Sequence, residues 1–245
     1  YRGSPVGGYD QQLWNARKFL ENNHIKFQPG LNEDLAASAI WGSQQTNLFE
    51  GGKYDGVFGI WYGKGPGVDR CGDVFKHGNM SGPSKHGGVL LIAGDDHAAK
   101  SSTVPHQSEF AFVDASIPVL NPAGVQEILD YGVLGFEMSR FSGCWVAFKT
   151  TAENMDSSSS IDVSPNRINI ELPDFDMPAD GLHIRWPDDW IEQEHRLHNY
   201  KLNAVRAFAR ANGIDKVVMD SSTAKLGIVT TGKSYLDVRQ ALEDL

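Results

Sequence analysis

The sequence predicts an α/β protein: a doubly wound, mostly parallel sheet, followed by the start of a second α/β domain. Short apolar segments alternate with longer segments of helical periodicity along the 245 residues, as in chains that fold into such sheets. The apolar run 89–93 is bounded by glycines on both sides, which is typical of a buried strand. Polar clusters lie at both of its ends, where the loops of open α/β sheets build ligand sites.

The first domain is expected to span residues 1–151 and to hold most of the sheet. Its helices show apolar residues spaced three or four apart, with Asn32 suited to cap one helix and Pro122 to begin another. The expected elements, in chain order, are helix 9–22, strand 25–28, helix 33–45, strand 54–62, helix 68–80, strand 89–93, helix 107–116, strand 117–120, helix 123–141 and strand 145–149.

Three further segments are expected after the first domain. Residues 152–187 carry four consecutive serines and several prolines, which indicates a linker or a wrapping arm. Residues 188–213 form a connecting helix with acidic residues in its first turn, basic residues in its last turn and a terminating glycine. Residues 214–245 resemble the truncated opening of a second α/β domain. Its expected elements are strand 216–219, strand 226–231 and a helix from Tyr235.

The composition argues against several classes of function. The formal net charge is −9, whereas nucleic-acid binding needs clustered lysine and arginine to displace counterions. No apolar run approaches the roughly 20 residues that span a bilayer, and no signal-peptide pattern begins the chain. Cys71 and Cys144 are isolated and form no CxxC, so the chain carries no zinc knuckle or iron–sulfur motif. These features fit a cytoplasmic protein that binds neither nucleic acid nor membrane.

Two motifs suggest phosphate binding, and neither is specific. Residues 227–234 match the pattern GxxxxGK[ST] of nucleotide-binding loops, which makes a nucleotide-binding module the alternative function. The four residues between its glycines are β-branched, which favours a strand where the loop would have to curl. Residues 63–67 contain three glycines and could cradle a phosphate through backbone N–H groups or form a plain tight turn.

For the histidines and the carboxylates, a purely structural role remains an alternative to ligand binding. His77, His86, His97 and His106 follow one another at spacings of 9, 11 and 9, which match no compact metal-ligand pattern. Asp95 and Asp96, at the end of the predicted strand, could hold a cation or a ligand hydroxyl. Alternatively, they could cap nearby backbone N–H groups. A glutamate at position 33 begins an alanine-rich helix, where the helix dipole favours a carboxylate by about 0.3–1 kcal/mol.

With these residues identified, the chain resembles the indolepyruvate:ferredoxin oxidoreductase family, in its long fused bacterial form. The resemblance covers essentially the whole sequence in order. Its segments are YRGSPVGGYDQQLW, FQPGLNEDLAASAIWGSQQ, GKGPGVDRCGDVFKH, GGVLLIAGDDHAAKSSTVPHQSE, PVLNPAGVQEILDYG, HIRWPDDW and LGIVTTGKSYLDVRQALEDL. It implies the pyrimidine-binding domain of a thiamine-diphosphate enzyme over 1–151 and the beginning of a transketolase-C-terminal-like domain over 214–245.

The resemblance also implies an activity, cofactors and partners. Members of the family decarboxylate a 2-oxoacid oxidatively to an acyl-CoA and reduce ferredoxin, using thiamine diphosphate, Mg²⁺, iron–sulfur clusters and coenzyme A. The GDG motif that carries the diphosphate and Mg²⁺ is missing, since neither 72–73 nor 94–95 is followed by glycine. The half of the site that binds the diphosphate and Mg²⁺ is therefore expected outside this chain, as are the iron–sulfur clusters and coenzyme A. The chain would then be inactive alone. The implied partners are the remaining domains or a partner subunit, ferredoxin, the 2-oxoacid substrate and further copies in a homo-oligomer.

The same resemblance assigns candidate site residues. Glu33 matches the family's activating glutamate, whose carboxyl bonds to N1′ of the aminopyrimidine and promotes loss of the thiazolium C2 proton. Ser4 lies at a turn that places a hydroxyl near the substrate carboxylate, and Asn79 lies in a site-facing segment, so both are expected to contact substrate. The residues expected to contact the cofactor are Glu33, Gly3, His77, Asp96, Ser101 and Ser102. No metal ligand is expected in this chain.

Overall fold

A four-stranded parallel sheet lies at the centre of the computed structural model, which describes residues 5–245. Its strands are β1 (Phe58–Lys64), β2 (Gly88–Asp95), β3 (Val119–Leu120) and β4 (Val146–Thr151). They are ordered β1-β2-β4-β3 across the sheet, and every pairing is parallel. All four carboxyl ends therefore meet at one edge, where open α/β sheets bind ligands.

Helices connect and cover these strands. They are α1 (Gly7–Asn15), α2 (Arg17–Asn22), α3 (Glu33–Ser43), α4 (Gly65–Arg70), α5 (Gly72–Ser81), α6 (Glu109–Asp114), α7 (Val125–Ser142), α8 (Ala152–Met155), α9 (Trp190–Arg196), α10 (Leu202–Ala211) and α11 (Lys233–Glu243). A π-helical turn, Leu197–Lys201, joins α9 to α10, so the predicted connecting helix forms one continuous helical segment. The helix predicted from Tyr235 is confirmed as part of α11.

Two of the predicted helices are each interrupted at a single residue. The helix expected over 9–22 breaks at Ala16, and the helix expected over 68–80 begins earlier and breaks at Cys71. Both residues have ψ close to zero, 6° at Ala16 and 4° at Cys71, which is outside the α region. The second break separates α4 from α5, and α4 follows β1 directly at the carboxyl edge.

Three of the predicted strands are wrong. Residues 25–28, 216–219 and 226–231 form no strand. A strand needs a neighbour that pairs with its backbone N–H and C=O groups, and the segments lack such a neighbour among the described residues. Their apolar side chains stay exposed instead, Val217 to 80% and Leu226 to 78%.

The core lies on both faces of the sheet because successive side chains of a strand point to opposite sides. On one face, Val89 and Leu91 pack with buried residues of α3, α4, α5 and α6. On the other face, Leu90 packs with Met138 of α7 and Phe208 of α10. Helices on both faces confirm the doubly wound α/β class that the alternation of elements predicts.

An aromatic cluster fills the core on the α3–α6 side. The ring of Phe75 lies edge-on to Trp61 at 5.1 Å, stacks on Phe112 at 6.0 Å and meets Trp145 at 6.4 Å between centroids. All four side chains are buried. The cluster joins α5 to α6, to β1 and to the residue before β4, so these elements share one packing unit.

A buried lysine binds the helical segment that runs from α9 to α10 to the end of α5. The Lys201 ammonium donates hydrogen bonds to the carbonyl oxygens of Met80, at 2.8 Å, and Asn79, at 3.3 Å, near the end of α5. Helix C-termini present carbonyls without intrahelical partners, and these favour a cation. Burial lowers the pKa of Lys201 to about 8. A second buried contact, between Arg196 and Asp188, fixes the start of the same helical segment.

The C-terminal segment returns to the carboxyl edge of the sheet. Gly232 has a φ of 59° and packs so closely on Asn121 that a Cβ would lie 2.3 Å from the amide oxygen. Helix α11 begins at the next residue, beside a cavity of about 240 Å³ that Lys149 and Thr151 also line. No helix among residues 5–245 has both the length and the apolar character needed to cross a bilayer.

Candidate active site at the carboxyl edge of the sheet

The loop after β2 lies at the carboxyl edge of the sheet, and two charged side chains hold it in place. The ammonium of Lys64, the last residue of β1, donates to the backbone oxygen of Ser101 at 2.7 Å and to its hydroxyl at 2.5 Å. The carboxylate of Asp96 accepts from the backbone N–H groups of Lys100, at 2.9 Å, and Ser101, at 2.7 Å. Lys64 and Asp96 are both buried. Two predicted cofactor-contact residues, Asp96 and Ser101, thus hold the loop in shape.

The electrostatics of these two groups support that role. The hydrogen bond from the Ser101 N–H is the main reason that the pKa of Asp96 lies below its usual range, with Lys100 and Lys64 adding to it. Burial lowers the pKa of Lys64, and the charge of Asp96 partly opposes this change. Each of the two charged side chains therefore holds the loop after β2 through hydrogen bonds to its backbone.

We expect the Asp96→Asn substitution to loosen the loop at neutral pH. The folded-state pKa of Asp96 is depressed, so its stabilising effect is complete above the unfolded value of about 3.9 and is lost as the pH falls through the lower folded value. The asparagine variant should therefore show low protection of the Lys100 and Ser101 amides at every pH. Hydrogen-exchange protection factors between about pH 2 and 7 measure this. If the Lys100 and Ser101 amides of the variant were as protected at neutral pH as those of the wild type, Asp96 would not anchor the loop. Asp114→Asn, which changes an exposed carboxylate on α6, is the control.

The neighbouring residue, Asp95, belongs to a separate buried network. Its carboxylate accepts from the Ser108 hydroxyl at 2.5 Å and from the Ser108 N–H at 2.9 Å. The Lys149 ammonium lies 3.7 Å from the same carboxylate and also bonds to Glu109. Burial raises the pKa of Asp95, while the Ser108 bonds and Lys149 act in the opposite direction. Asp95 therefore ties β2 to α6 and β4, which agrees with the capping alternative.

An open cleft of about 560 Å³ lies between α4 and the loop after β2. Its lining residues are Pro66, Asp69, Ser101, Ser102, Thr103, Val104 and His106. The His106 Nε2 lies 2.9 Å from the Asp69 carboxylate and the Nδ1 lies 3.3 Å from the Val104 oxygen. Gly65 permits this packing, because a Cβ there would approach His106 to 2.3 Å. The predicted cofactor-contact residue Ser102 lines this cleft.

Glu33 lies on the opposite side of α4 from His106. It is the first residue of α3, whose N-cap Asn32 accepts a hydrogen bond from the Leu35 N–H at 2.9 Å, as expected of a capping residue. A Cβ at Gly67 would lie 2.7 Å from the Glu33 Cγ, so this glycine lets the side chain rest on α4. The Trp61 indole donates to the Glu33 backbone oxygen at 3.0 Å and thereby ties the glutamate to the aromatic core.

The Glu33 carboxylate is partly shielded and open to a ligand. Its side chain is 19% exposed, and the Arg70 Nε lies 3.7 Å from one carboxylate oxygen. Arg70 also pairs with Asp34 at 3.3 Å. Within residues 5–245 no hydrogen-bond donor bonds directly to the Glu33 carboxylate. The group is thus positioned by its backbone while its two oxygens remain available.

The remaining predicted residues are not brought together with Glu33 and the cleft. The Asn79 amide donates to the Ala115 and Ser116 oxygens and accepts from the Trp145 N–H, all within 3.0 Å, in the interior before β4. No group of that amide is left for a substrate. His77 is exposed on α5 and stacks on Trp41 with ring centroids 6.0 Å apart. Gly3 and Ser4 lie outside the described residues.

The nucleotide-binding alternative is not favoured by the geometry of 227–234. A phosphate-binding loop needs a strand before it and a helix after it. The helix is present, but the residues from 213 to 232 contain no strand, and Gly227 has open space around it. In the described part of the chain, no three histidine, cysteine, aspartate or glutamate side chains are grouped so as to hold a metal ion. The thiols of Cys71 and Cys144 are buried, and burial raises their pKa values to about 12 and about 11.

Sequence reasoning missed three residues that shape this edge. Lys64 lies in a glycine-rich segment that draws attention to phosphate binding instead. A lysine that ends a buried strand is unusual, because lysine is rarely buried without a partner, and this is the signal that could have identified it. The sequence presents His106 only as one of four loop histidines, and it gives no signal that singles out Asp69. Their pairing joins positions 37 residues apart, so the packing of the loop on α4 had to be known first.

Comparisons with known proteins found distant relatives. No family model matches the chain. The indolepyruvate oxidoreductase subunit IorA of Methanothermobacter thermautotrophicus is 24% identical over 78% of the chain, and that of Methanothermobacter marburgensis is 22% identical over 100%. The same subunit of Pyrococcus abyssi is 26% identical over 64%. The chain spans 30%, 37% and 24% of the lengths of these three relatives. The resemblance is distant but consistent, and it confirms the relationship that the sequence motifs indicate.

Proposed function

We propose that this chain, which is similar over most of its length to indolepyruvate oxidoreductase subunits, supplies the aminopyrimidine-binding half of a thiamine-diphosphate site. The complete enzyme would be a 2-oxoacid:ferredoxin oxidoreductase that converts an indolepyruvate-type 2-oxoacid to an acyl-CoA. The observation that carries the proposal is Glu33, a partly shielded carboxyl held by its backbone beside the carboxyl edge of a parallel sheet. Similarity to the IorA subunits supports the oxidoreductase class.

The surroundings of the Glu33 carboxyl group fit an aminopyrimidine ring. A ring nitrogen needs one carboxyl that is shielded from water and free of other strong partners. The Glu33 carboxyl meets both conditions, since it is 19% exposed and its nearest charged neighbour, Arg70, is 3.7 Å away. Asp34 pairs with Arg70 more closely, at 3.3 Å, and so keeps that cation partly engaged. We infer that Glu33 holds the proton at the pyrimidine nitrogen.

The cofactor would bring the chemistry that no side chain of this chain offers. When bound, thiamine diphosphate supplies a nucleophilic carbon and an electron sink for decarboxylation. This chain would orient the pyrimidine with Glu33, keep water away with α3 and α4, and present the loop anchored by Lys64 and Asp96 to the substrate side. The diphosphate with Mg²⁺, the iron–sulfur clusters and coenzyme A would be bound by other domains or a partner subunit, and ferredoxin would accept the electrons.

The domain organisation is part of the same proposal. Residues 1–151 would be the pyrimidine-binding domain, 152–187 an arm along its surface and 188–213 a helix bound to it through Lys201. Residues 214–245 would begin a transketolase-C-terminal-like domain. The exposed apolar side chains of this last segment support an interface with another domain or subunit, which would bury them.

Thiamine diphosphate titration tests the half-site directly. We expect the 245-residue chain to bind the cofactor weakly, with a dissociation constant above the micromolar range, because it lacks the diphosphate and Mg²⁺ ligands. Isothermal titration calorimetry on this chain and on the complete enzyme provides the comparison. Micromolar or tighter binding of thiamine diphosphate to the chain alone would contradict the half-site. Equal affinity of the enzyme with and without this chain would contradict it too.

A further inference from the structure

Two exposed tryptophans lie at the start of α9. Trp186 is 72% exposed and Trp190 is 74% exposed, and Ile191, the next residue, is 64% exposed. No other tryptophan within residues 5–245 is more than half exposed. Tryptophan buries a large apolar area when it is covered, and it is enriched among the residues that dominate protein interfaces. We call Trp186, Trp190 and Ile191 the tryptophan patch.

The backbone beneath the tryptophan patch is held firmly. The carboxylate of Asp189 caps α9 and accepts hydrogen bonds from the N–H groups of Ile191, at 2.9 Å, and Glu192, at 3.2 Å. One turn further along, Arg196 is buried and pairs with Asp188. A surface that is already ordered loses little conformational freedom on binding, so these bonds favour association.

The tryptophan patch lies at the amino edge of the sheet, away from Glu33. The segment that carries it is anchored on both flanks to the connection between α5 and β2. On one flank the Ile184 N–H donates to the Pro83 oxygen at 3.1 Å, and on the other Lys201 bonds to the Met80 oxygen at 2.8 Å. Because β2 begins at Gly88, this connection is at the amino end of the strands. A partner docked there leaves the carboxyl edge open.

The surroundings of the tryptophan patch are acidic. Residues 186–194 contain four carboxylates and neither lysine nor arginine. Asp188 is turned inward to its buried partner, whereas Asp189, Glu192 and Glu194 belong to exposed residues. Lysine and arginine side chains form ion pairs with such carboxylates, and their cations are attracted to the faces of tryptophan rings. The chemistry of this surface therefore fits a basic partner.

We propose that the tryptophan patch docks a lysine- and arginine-rich protein surface, supplied by the part of the complete enzyme outside this chain. The chain spans 24–37% of the lengths of the three relatives, so most of such a protein is available to supply it. A second copy of the chain fits less well. In a two-fold contact the patch would face itself, and its carboxylates would repel one another. The inference goes beyond the proposed function and does not depend on the cofactor.

Hydroxyl-radical footprinting, read by mass spectrometry, tests the docking. The 245-residue chain is compared with the complete enzyme. Trp186 and Trp190 should be oxidised at least about fivefold more slowly in the complete enzyme, because docking excludes water from the central side chains of an interface. Reversing two charges in the complete enzyme, with Glu192→Lys and Glu194→Lys together, should restore at least about half of the rate measured in the chain.

Two controls show that this effect is local. Glu21→Lys reverses an exposed carboxylate on α2 and should leave the oxidation of both tryptophans unchanged. The 245-residue chain with Glu192→Lys and Glu194→Lys should melt within about 2 °C of the wild type, because substitutions of exposed side chains change stability little.

Each result supports or overturns a defined part of the proposal. Equal oxidation of the tryptophans in the chain and in the complete enzyme overturns the docking. Protection that the two charge reversals leave unchanged overturns the basic partner. Protection in the chain alone that increases as its concentration rises from about 1 to 100 µM overturns the assignment in favour of a second copy. None of these results bears on Glu33, whose role is tested by turnover of the complete enzyme.

Discussion

Replacing Glu33 with glutamine is expected to lower turnover of the complete enzyme by at least about a hundredfold while leaving the fold intact. Glutamine keeps the size of the side chain but cannot hold the proton that the pyrimidine nitrogen requires. The fold should be unaffected because the Trp61 indole bonds to the backbone oxygen of Glu33, which the substitution retains. Ferredoxin reduction with a saturating 2-oxoacid measures turnover, and thermal unfolding measures the fold.

The neighbouring carboxylate provides a matched control for this substitution. Asp34 follows Glu33 in the first turn of α3 and pairs with Arg70 at 3.3 Å, on an exposed part of the helix. Asp34→Asn should change turnover less than threefold, because exposed ion pairs contribute only about 0–1 kcal/mol. Near-normal turnover in Glu33→Gln, or an equal loss in both variants, would remove the basis for assigning Glu33 to the cofactor.

Replacing Phe75 with alanine is expected to destabilise the chain by about 3–5 kcal/mol, the usual cost of removing a buried aromatic side chain. The ring contacts Trp61, Phe112 and Trp145, and each contact joins a different element to α5. The neighbouring rings are themselves fully packed, so they cannot move in to fill the cavity. Urea-induced unfolding followed by tryptophan fluorescence gives the change in free energy.

A phenylalanine on the surface is the control for Phe75. Phe110 lies on α6 and is 72% exposed, so Phe110→Ala should change stability by no more than about 0.5 kcal/mol. A loss below about 1 kcal/mol in Phe75→Ala would show that the aromatic cluster is loosely packed. The cluster also carries Trp61, and the Phe75 variant should therefore weaken the support of Glu33 as well as the fold.

Most strands and helices of the first 151 residues could be predicted because their signals are local. The run 89–93 is apolar and bounded by glycine, and Asn32 caps α3 through a bond to a residue three positions away. Such patterns depend on side-chain periodicity and on bonds between near neighbours. The strands predicted over 216–219 and 226–231 had similar apolar patterns but found no pairing partner in the described part of the chain. Strand formation depends on a second segment, which a local pattern does not specify.

The α/β class, the cap before Glu33 and the resemblance to indolepyruvate oxidoreductases are all readable from the amino-acid order, because they depend on periodicity, local hydrogen bonds and the order of motifs. Which polar residues share a site became clear only from the folded chain. It made Asp96 and Ser101 the anchors of a loop, directed the Asn79 amide into the interior, and paired His106 with Asp69 across 37 positions. The physical reason is that a polar side chain takes its role from the partners that packing brings within hydrogen-bond distance, and those partners are distant in sequence.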